Sequence, residues 1–281
     1  MSKVTIVVPT YNEEKDIGEC LKSLRKQSYK DFERIIVDDG SNDKTIEIVK
    51  RFSEVRIIKG QHRGPGFSRN LGAKKAKGEI LVFIDSDMTF DRDYIKNLVN
   101  PLLKNKKILG TTHDYELVKN TDNIWSRCWG KVRVSKKDAN EVKIFRAIRK
   151  NRFIELGGFE PKYGYADDQT FWFKYKLRPA VAKNTTCYHK NPETLKAVFK
   201  QSKWIGASLD NFLFEIPILN YMLPLLMVLI GPIVIIFLAF KKCIKNKDFS
   251  VIHYMIVFLF VRYFGTIAGL SRKIYQGINL R

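Results

Sequence analysis

The sequence is poor in the residues that staple or metallate small folds. Its four cysteines (Cys20, Cys128, Cys187, Cys243) form no CxxC pair and no zinc-like spacing in 281 residues. That weighs against structural zinc and a disulfide framework, and ordinary thiols in a reducing compartment are expected. Acidic residues are also scarce: 29 Asp and Glu face 50 Lys and Arg, a formal net charge of +21. From Ile216 onward a single acid, Asp248, stands against eight basic residues. The 42 basic and 28 acidic residues before it still leave +14, so most of the excess lies in the N-terminal part. Such a surface suits anionic lipid headgroups or phosphorylated substrates. The basic residues are dispersed, with no recognition helix or RNA-binding motif, so nucleic acid is not an expected partner. No charged region followed by an apolar one opens the chain, so no signal peptide is expected. A hydrophobic content of 45% and an aromatic content of 12% exclude a disordered or fibrous chain.

What is present begins with a rhythm of strands and helices. Val4–Val8 is a β-branched run ended by Pro9, the pattern of a buried parallel strand. Asn12 is placed to cap a helix whose apolar face is Ile17, Cys20, Leu21 and Leu24. A second strand over Arg34–Val37 closes in Asp38-Asp39-Gly40-Ser41, a helix carries Ile46, Ile48 and Val49, and Val55–Ile58 reads as a third strand. A helix over Phe67–Ala76 and a strand over Ile80–Ile84 lead into Asp85. This alternation predicts a mostly parallel sheet with helices on both faces, which gathers ligands at the carboxyl ends of its strands. Polar clusters stand at three of those ends: Thr10–Glu14, Asp38–Ser41 and Asp85–Asp87. Farther on, Asp91–Leu103 looks helical and Leu109–Val118 contains a strand, while Thr121–Lys150 is rich in aromatic and basic residues. The acceptor side of a site is expected in this half.

Asp85-Ser86-Asp87 places two carboxylates at i and i+2 after an apolar strand. Where the backbone turns, both can converge on one hard divalent cation that keeps open positions for phosphate oxygens, as Mg²⁺ or Mn²⁺ does. Alone such a pair is a weak signal; its weight comes from its place beside two other polar strand ends.

Taken in order, Ile6-Val7-Val8-Pro9-Thr10-Tyr11-Asn12-Glu13, Ile36-Val37-Asp38-Asp39-Gly40-Ser41-Asn42-Asp43, Gly64-Pro65-Gly66-Phe67-Ser68-Arg69-Asn70-Leu71-Gly72 and Phe83-Ile84-Asp85-Ser86-Asp87 resemble a family 2 glycosyltransferase over about residues 3–215. The resemblance implies an α/β GT-A fold, Rossmann-like, and an inverting transfer of a sugar from a UDP- or GDP-sugar with Mg²⁺ or Mn²⁺. It implies that Pro9, Tyr11 and Glu13 line the nucleotide pocket, Tyr11 on the base and Glu13 on ribose. Asp39 then hydrogen-bonds base or ribose, whereas Asp38 is expected to hold a turn. Arg69 either meets the diphosphate or is a solvated helix charge. Asp85 and Ser86 belong to the donor side, Asp87 is the metal ligand, and Asp85 reaches ribose or the metal through water. Gly164-Tyr165-Ala166-Asp167-Asp168-Gln169, after Glu155-Leu156-Gly157-Gly158-Phe159, is similar to the family's Glu-Asp motif. Asp168 then falls at the catalytic base and Asp167 on the acceptor side, where repulsion between the two carboxylates would raise one pKa. His189, after a strand over Thr185–Tyr188, is a candidate third metal ligand.

The remaining chain points to a membrane. Asn191–Phe214 alternates Leu195, Val198, Phe199, Trp204 and Ile205 with Lys196, Lys200 and Lys203, as an interfacial helix would. Ile216–Phe240 is 25 residues without a charge, and Val251–Leu270 is a second apolar stretch broken by Arg262. Together they predict a helical membrane hairpin over 216–281 after a catalytic domain over 1–215. A cell-membrane location follows, with the catalytic domain on the cytoplasmic side. The loop Lys241–Ser250 carries four lysines, which conflicts with the positive-inside tendency for a simple hairpin. Arg262 in lipid would need a partner or a route to the surface. Lys200-Gln201-Ser202-Lys203-Trp204 has Gln out of register and Lys for Arg relative to the Gln-x-x-Arg-Trp motif of processive synthases, which weighs against polymer synthesis. The expected acceptor is a hydroxyl of a lipid-linked saccharide or glycolipid. The alternative is a polyprenyl phosphate, whose own oxygen would need little base. A nucleotidyltransferase would carry a Gly-rich basic loop after the first strand, which Pro9–Glu14 lacks. A non-catalytic membrane-binding protein would have no use for acids at three strand ends.

Overall fold

The computed structural model describes residues 3–213, 231, 234–245 and 248–278, with side chains omitted at 209–213 and 271–278. In chain order its elements are β1 (Val4–Thr10), α1 (Ile17–Arg25), β2 (Phe32–Asp38), α2 (Thr45–Val49), β3 (Val55–Lys59) and α3 (Pro65–Lys75). There follow β4 (Ile80–Phe83), β5 (Met88–Phe90), α4 (Tyr94–Lys104), β6 (Gly110–Val118), α5 (Ile124–Trp129), β7 (Val132–Val134) and β8 (Ala147–Arg149). The rest are α6 (Lys150–Glu155), a kinked 3-10 segment (Pro161–Gln169), α7 (Thr170–Tyr175), β9 (Ala180–His189), α8 (Leu195–Leu213), α9 (234–245) and α10 (Ile252–Ile278).

The strands form one sheet in the order β3-β2-β1-β4-β8-β6-β9-β5, with β7 on β6. The first four are parallel neighbours, β1 pairing β2 from Val4↔Phe32 to Thr10↔Asp38 and β4 from Val4↔Ile80 to Val7↔Phe83. The next strand, β8, runs antiparallel to both β4 and β6, and β5 is antiparallel to β9. The sheet is therefore mixed, with antiparallel pairings following the parallel run that the opening rhythm predicts. Strands of three residues such as β5 and β8 are too short to show a period, so the antiparallel half leaves little trace in the sequence.

Both faces of the parallel half are covered, because pleating sends alternate residues opposite ways. Val4, Ile6 and Val8 enter a core with Ile17, Leu21, Leu24, Leu98 and Val99 of α1 and α4. Val7, Leu81 and Phe83 face Ala73 of α3, Phe153 of α6 and Phe171 of α7. The start of α1 differs from expectation: Asp16 stands at its N-cap, while Asn12 adopts φ +55° and its Oδ1 accepts from the Asn42 N–H at 2.9 Å. Asn tolerates the left-handed region, and here it ties the β1 loop to the β2 loop. All four cysteines are free and buried.

By internal packing the chain divides into two units, Met1–Leu117 with Val132–Pro161 and Asp167–His189, and Val118–Lys131 with Lys162–Ala166 and Lys190–Arg281. In the second, α8 and α10 meet through small residues. A Cβ on Gly265 would stand 2.8 Å from the Phe199 carbonyl oxygen, and one on Gly269 would overlap the Lys203 carbonyl. Close backbone approach through a Gly-x-x-x-Gly spacing is a common device of helices in lipid. Cys128, Val198, Ala239, Cys243, Val251, Met255 and Phe258 form this unit's core. Among the described residues one helical stretch, Phe249–Leu270, is long and apolar enough to cross a membrane. Most of the expected first hairpin arm, Ile216–Phe240, lies outside the described residues, as does the proposed boundary after 215. The basic loop is also shorter than expected, since Lys241, Lys242 and Lys245 lie within α9. Arg262 has partners: its guanidinium lies 4.1 Å from the Trp129 ring centroid and 5.7 Å from that of Phe258.

Gly72 shows how tightly α3 sits on the sheet, since a Cβ there would overlap the Val7 side chain and stand 3.1 Å from Val37 Cγ2. Gly72→Ala is expected to lower unfolding free energy by about 1–3 kcal/mol despite its better helix propensity, because overpacking outweighs propensity. Urea denaturation should show this loss, and Val7→Ala in the same chain should recover part of it.

Candidate active site

Three adjacent parallel strands, β2, β1 and β4, end together and deliver the three polar clusters to one rim of the sheet. Pro9 and Thr10 close β1 and are buried; Tyr11 projects and is 39% exposed. Its ring meets His62 at 4.6 Å between centroids. His62 Nδ1 lies 3.0 Å from the Asp39 carbonyl, and Asp39 accepts backbone N–H groups from Arg63 at 3.1 Å and Gly64 at 2.7 Å. Asp39 thus fixes the loop before α3, where Gly64 takes φ +89° as the N-cap, a conformation open to glycine. Asp38 holds a turn by accepting the Ser41 N–H at 3.1 Å. His62 and Arg63 carry no signal in sequence; only the fold sets them against Tyr11 and Asp39.

The centre of the site is a chain of buried charges. Arg69, on α3, is not a solvated helix charge: it is 7% exposed and donates from Nη1 to Asp167 Oδ1 and from Nη2 to Asp85 Oδ1, each at 2.7 Å. Arg146 donates from Nη1 to the other oxygen, Asp85 Oδ2, at 3.0 Å. Burial alone would raise the Asp85 pKa, but Arg146 and Arg69 hold it far below the carboxylate range. Both Asp85 oxygens are thus occupied by guanidinium groups. Asp167 also rests on the first turn of α3, where a Cβ on Gly66 would come within 2.7 Å of its Oδ2. Arg146 was not among the expected site residues; it precedes β8, whose pairing with β4 sets its carbonyl on the Phe83 N–H at 2.8 Å.

Asp87 takes a different partner. Its Oδ2 lies 3.1 Å from Nε2 of His189, which closes β9 and pairs with Met88 across the β5–β9 ladder. Burial pulls the His189 pKa down, yet Asp87 and other neighbours outweigh it and lift the imidazole to about 9. Glu13 stands close by and is raised to about 8, chiefly by burial and then by Asp87, with a hydrogen bond to Ser86 opposing. Carboxylates crowded against one another without an arginine form a donor set that fits a divalent cation. Asp87 Oδ2 and His189 Nε2, 3.1 Å apart, are the groups that would hold such a cation together.

Beneath His189 lies Glu116 on β6, with His113, Arg133 and Cys187 around it. His113, Glu116 and Cys187 are close enough to hold an ion by spacing. They are already satisfied by one another, however. His113 Nε2 lies 2.9 Å from Glu116 and its Nδ1 faces Tyr94 Oη at 3.3 Å and Cys187 Sγ at 3.4 Å. Burial lowers the His113 pKa and pushes the Cys187 thiol well up, and a protonated thiol is a poor ligand.

Asp168 follows Asp167 directly. Its pKa is raised to about 6, first by burial, with Arg69 opposing and Asp167 adding. Mutual repulsion, the cause expected from the sequence, is therefore the smaller effect.

Known proteins resemble the chain in sequence and in fold. It is 39% identical over 104 residues to the poly(ribitol-phosphate) β-N-acetylglucosaminyltransferase TarS of Staphylococcus aureus, a match covering 34% of this chain and 18% of that protein. It is 36% identical over 106 residues to glycosyltransferase GlyA of Streptococcus pneumoniae, covering 36% of this chain and 15% of GlyA. These alignments span under a fifth of the relatives' length. Among solved structures, TarS 1–349 in complex with UDP-GlcNAc superposes with TM-score 0.53 at 18% identity, over 96% of this chain and 92% of that one. The mannosyltransferase PcManGT of Pyrobaculum calidifontis, in complex with GDP-Man and Mn²⁺, gives TM-score 0.59 at 20% identity, over 94% and 87%. At these identities the likeness shows the fold. The sequence pattern of the glycosyl transferase family 2 domain matches residues 5–162, more than half of the chain, and the protein belongs to that family.

Proposed function

We propose that the protein is an inverting glycosyltransferase that moves a sugar from a UDP- or GDP-sugar to a hydroxyl acceptor held at a membrane. The observation that carries this reading is the Arg69 bridge, which ties Asp167 to Asp85 and so brings the base candidate Asp168 and the metal candidate Asp87 to one site. Tyr11, Pro9, Glu13 and Asp39 form the nucleotide side, with Tyr11 offering its face to the base. Asp87 and His189 would hold Mg²⁺ or Mn²⁺, which when bound offsets negative charge on the leaving diphosphate. Asp85, expected as a further ligand, acts instead as the anchor of Arg69 and Arg146, with Ser86 beside Glu13. Asp168 takes the acceptor's proton; a carboxyl with a pKa of about 6 is a stronger base than an ordinary aspartate and is still ionised at neutral pH. A tuned base favours a hydroxyl acceptor over a polyprenyl phosphate, which arrives already ionised.

Support for the membrane side comes from the second unit. Phe237, Phe240 and Ile244 on α9 and Tyr254, Val257 and Phe264 on α10 are large apolar side chains left exposed. The basic residues Lys241 and Lys245 share α9 with them, a pattern suited to an anionic bilayer surface.

A screen of nucleotide-sugars with Mn²⁺ or Mg²⁺ tests the reaction. Release of a nucleoside diphosphate is expected, and release of pyrophosphate would indicate nucleotidyl transfer. Asp87→Ala should remove the metal-dependent activity.

Asp168→Asn should lower turnover about 10²–10⁴-fold, the range of general-base catalysis. Because the base must be ionised, wild-type kcat/KM should fall as pH drops through about 6. The folded-state pKa lies above the ordinary 3.8, so the ionised carboxylate opposes folding at neutral pH, and that cost fades below pH 6. Thermal melting of Asp168→Asn at pH 7.5 should therefore match or exceed wild type; a marked drop would assign Asp168 a structural role.

Flotation with phosphatidylcholine vesicles, with and without phosphatidylglycerol, should carry the protein only when the anionic lipid is present.

A further inference from the structure

We propose that Glu116 is the positioning residue that makes His189 a metal ligand; the inference rests on the reading above, in which Asp87 and His189 hold a divalent cation. An imidazole ligates through a nitrogen that carries no proton, so something must keep the proton on the other nitrogen and hold the ring's orientation. Glu116 is placed to do both. Its Oε1 lies 2.8 Å from His189 Nδ1, which must donate to a carboxylate, and the opposite nitrogen, Nε2, is the one that faces Asp87 at 3.1 Å.

The surroundings of Glu116 are built for a permanent anion. The residue is 4% exposed, and a carboxylate this deep persists only when it is surrounded by donors. Oε1 also receives Arg133 Nε at 2.9 Å, Oε2 receives His113 Nε2 at 2.9 Å, and Arg146 Nη2 stands 4.0 Å away. His113 is fixed in turn by Tyr94 and Cys187, so the support reaches the packed core.

Local backbone geometry adds a reason for the position. The β6–β7 ladder shifts register between Glu116 and Leu117, and such irregularities re-aim a side chain beside a site. Arg146 links the two halves, donating to Asp85 and facing Glu116, so one guanidinium touches the frame of the donor loop and the support of His189.

The test measures Mn²⁺ affinity by calorimetry, alone and with UDP or GDP, in wild type, Glu116→Gln, His189→Ala and the double variant. Glu116→Gln keeps the shape but loses the charge, and it is expected to weaken Mn²⁺ binding about 10–100-fold. In the His189→Ala background the same change should have almost no further effect, because Glu116 acts through that ring. A long-range ¹H–¹⁵N spectrum of the wild type should show His189 with its proton on Nδ1 when Mg²⁺ is bound. This measurement stands even if a Glu116 variant fails to fold. Equal Mn²⁺ affinity in wild type and Glu116→Gln would overturn the inference and leave the metal reading intact, as would a proton on Nε2. An additive loss in the double variant would also overturn it, since Glu116 would then act independently of His189. No Mn²⁺ binding by wild type under any of these conditions would overturn the metal reading and the inference together.

Discussion

The Asp85 carboxylate, held between Arg69 and Arg146, is the interaction on which the rest of the site depends. It lies at the end of β4, the strand where the parallel half of the sheet meets the antiparallel half. One guanidinium comes from a helix of the first half and the other from the start of β8, so their meeting on Asp85 joins the two. Buried ion pairs seldom add much net stability, but removing one partner leaves an uncompensated charge and costs about 3–5 kcal/mol. Their value here is geometric. Arg69 has a planar fork that addresses two carboxylates at once, which a lysine could not do with comparable direction.

From that anchor the acids of the site divide by their neighbours. Asp85 is neutralised by guanidinium groups and stays an anion. Asp87 pairs with His189, and Glu13 is raised by burial and by the nearby Asp87. Asp168 is half-buried and its desolvation receives less relief, which lifts it to about 6. Burial and the nearest cation thus set similar side chains within one loop cluster apart, and under the proposed function they would serve as frame, cation ligand and base.

The parallel half of the fold was legible from the sequence, as were the strand ends and the order of the motifs. Val4–Val8 and Ile80–Ile84 are apolar runs long enough to declare buried strands, Asp39, Asp85 and Asp87 stand at strand ends, and the family resemblance added Asp168 and His189. Arg146, Glu116, His113 and Arg133 were not legible. Each lies on or beside a short or irregular antiparallel element whose pairing joins residues distant in sequence, and no local pattern records that pairing. Arg69 was visible as a charge near the site, but its burial between two carboxylates was not. Arg262 was visible as an anomaly in an apolar stretch, and the Trp129 ring that accommodates it lies 133 residues upstream.

The sequence by itself determined which chemical groups the protein can bring to a reaction and roughly where on a Rossmann-like sheet they fall. Hydrophobic periodicity and strand-end polarity are local properties, written in consecutive residues. The tertiary structure alone decided what state each group is in: which carboxylate is paired, which is crowded, and which nitrogen of His189 faces Asp87. Ionisation and orientation depend on burial and on neighbours within a few ångströms, and those neighbours are brought together by folding, not by adjacency in the chain.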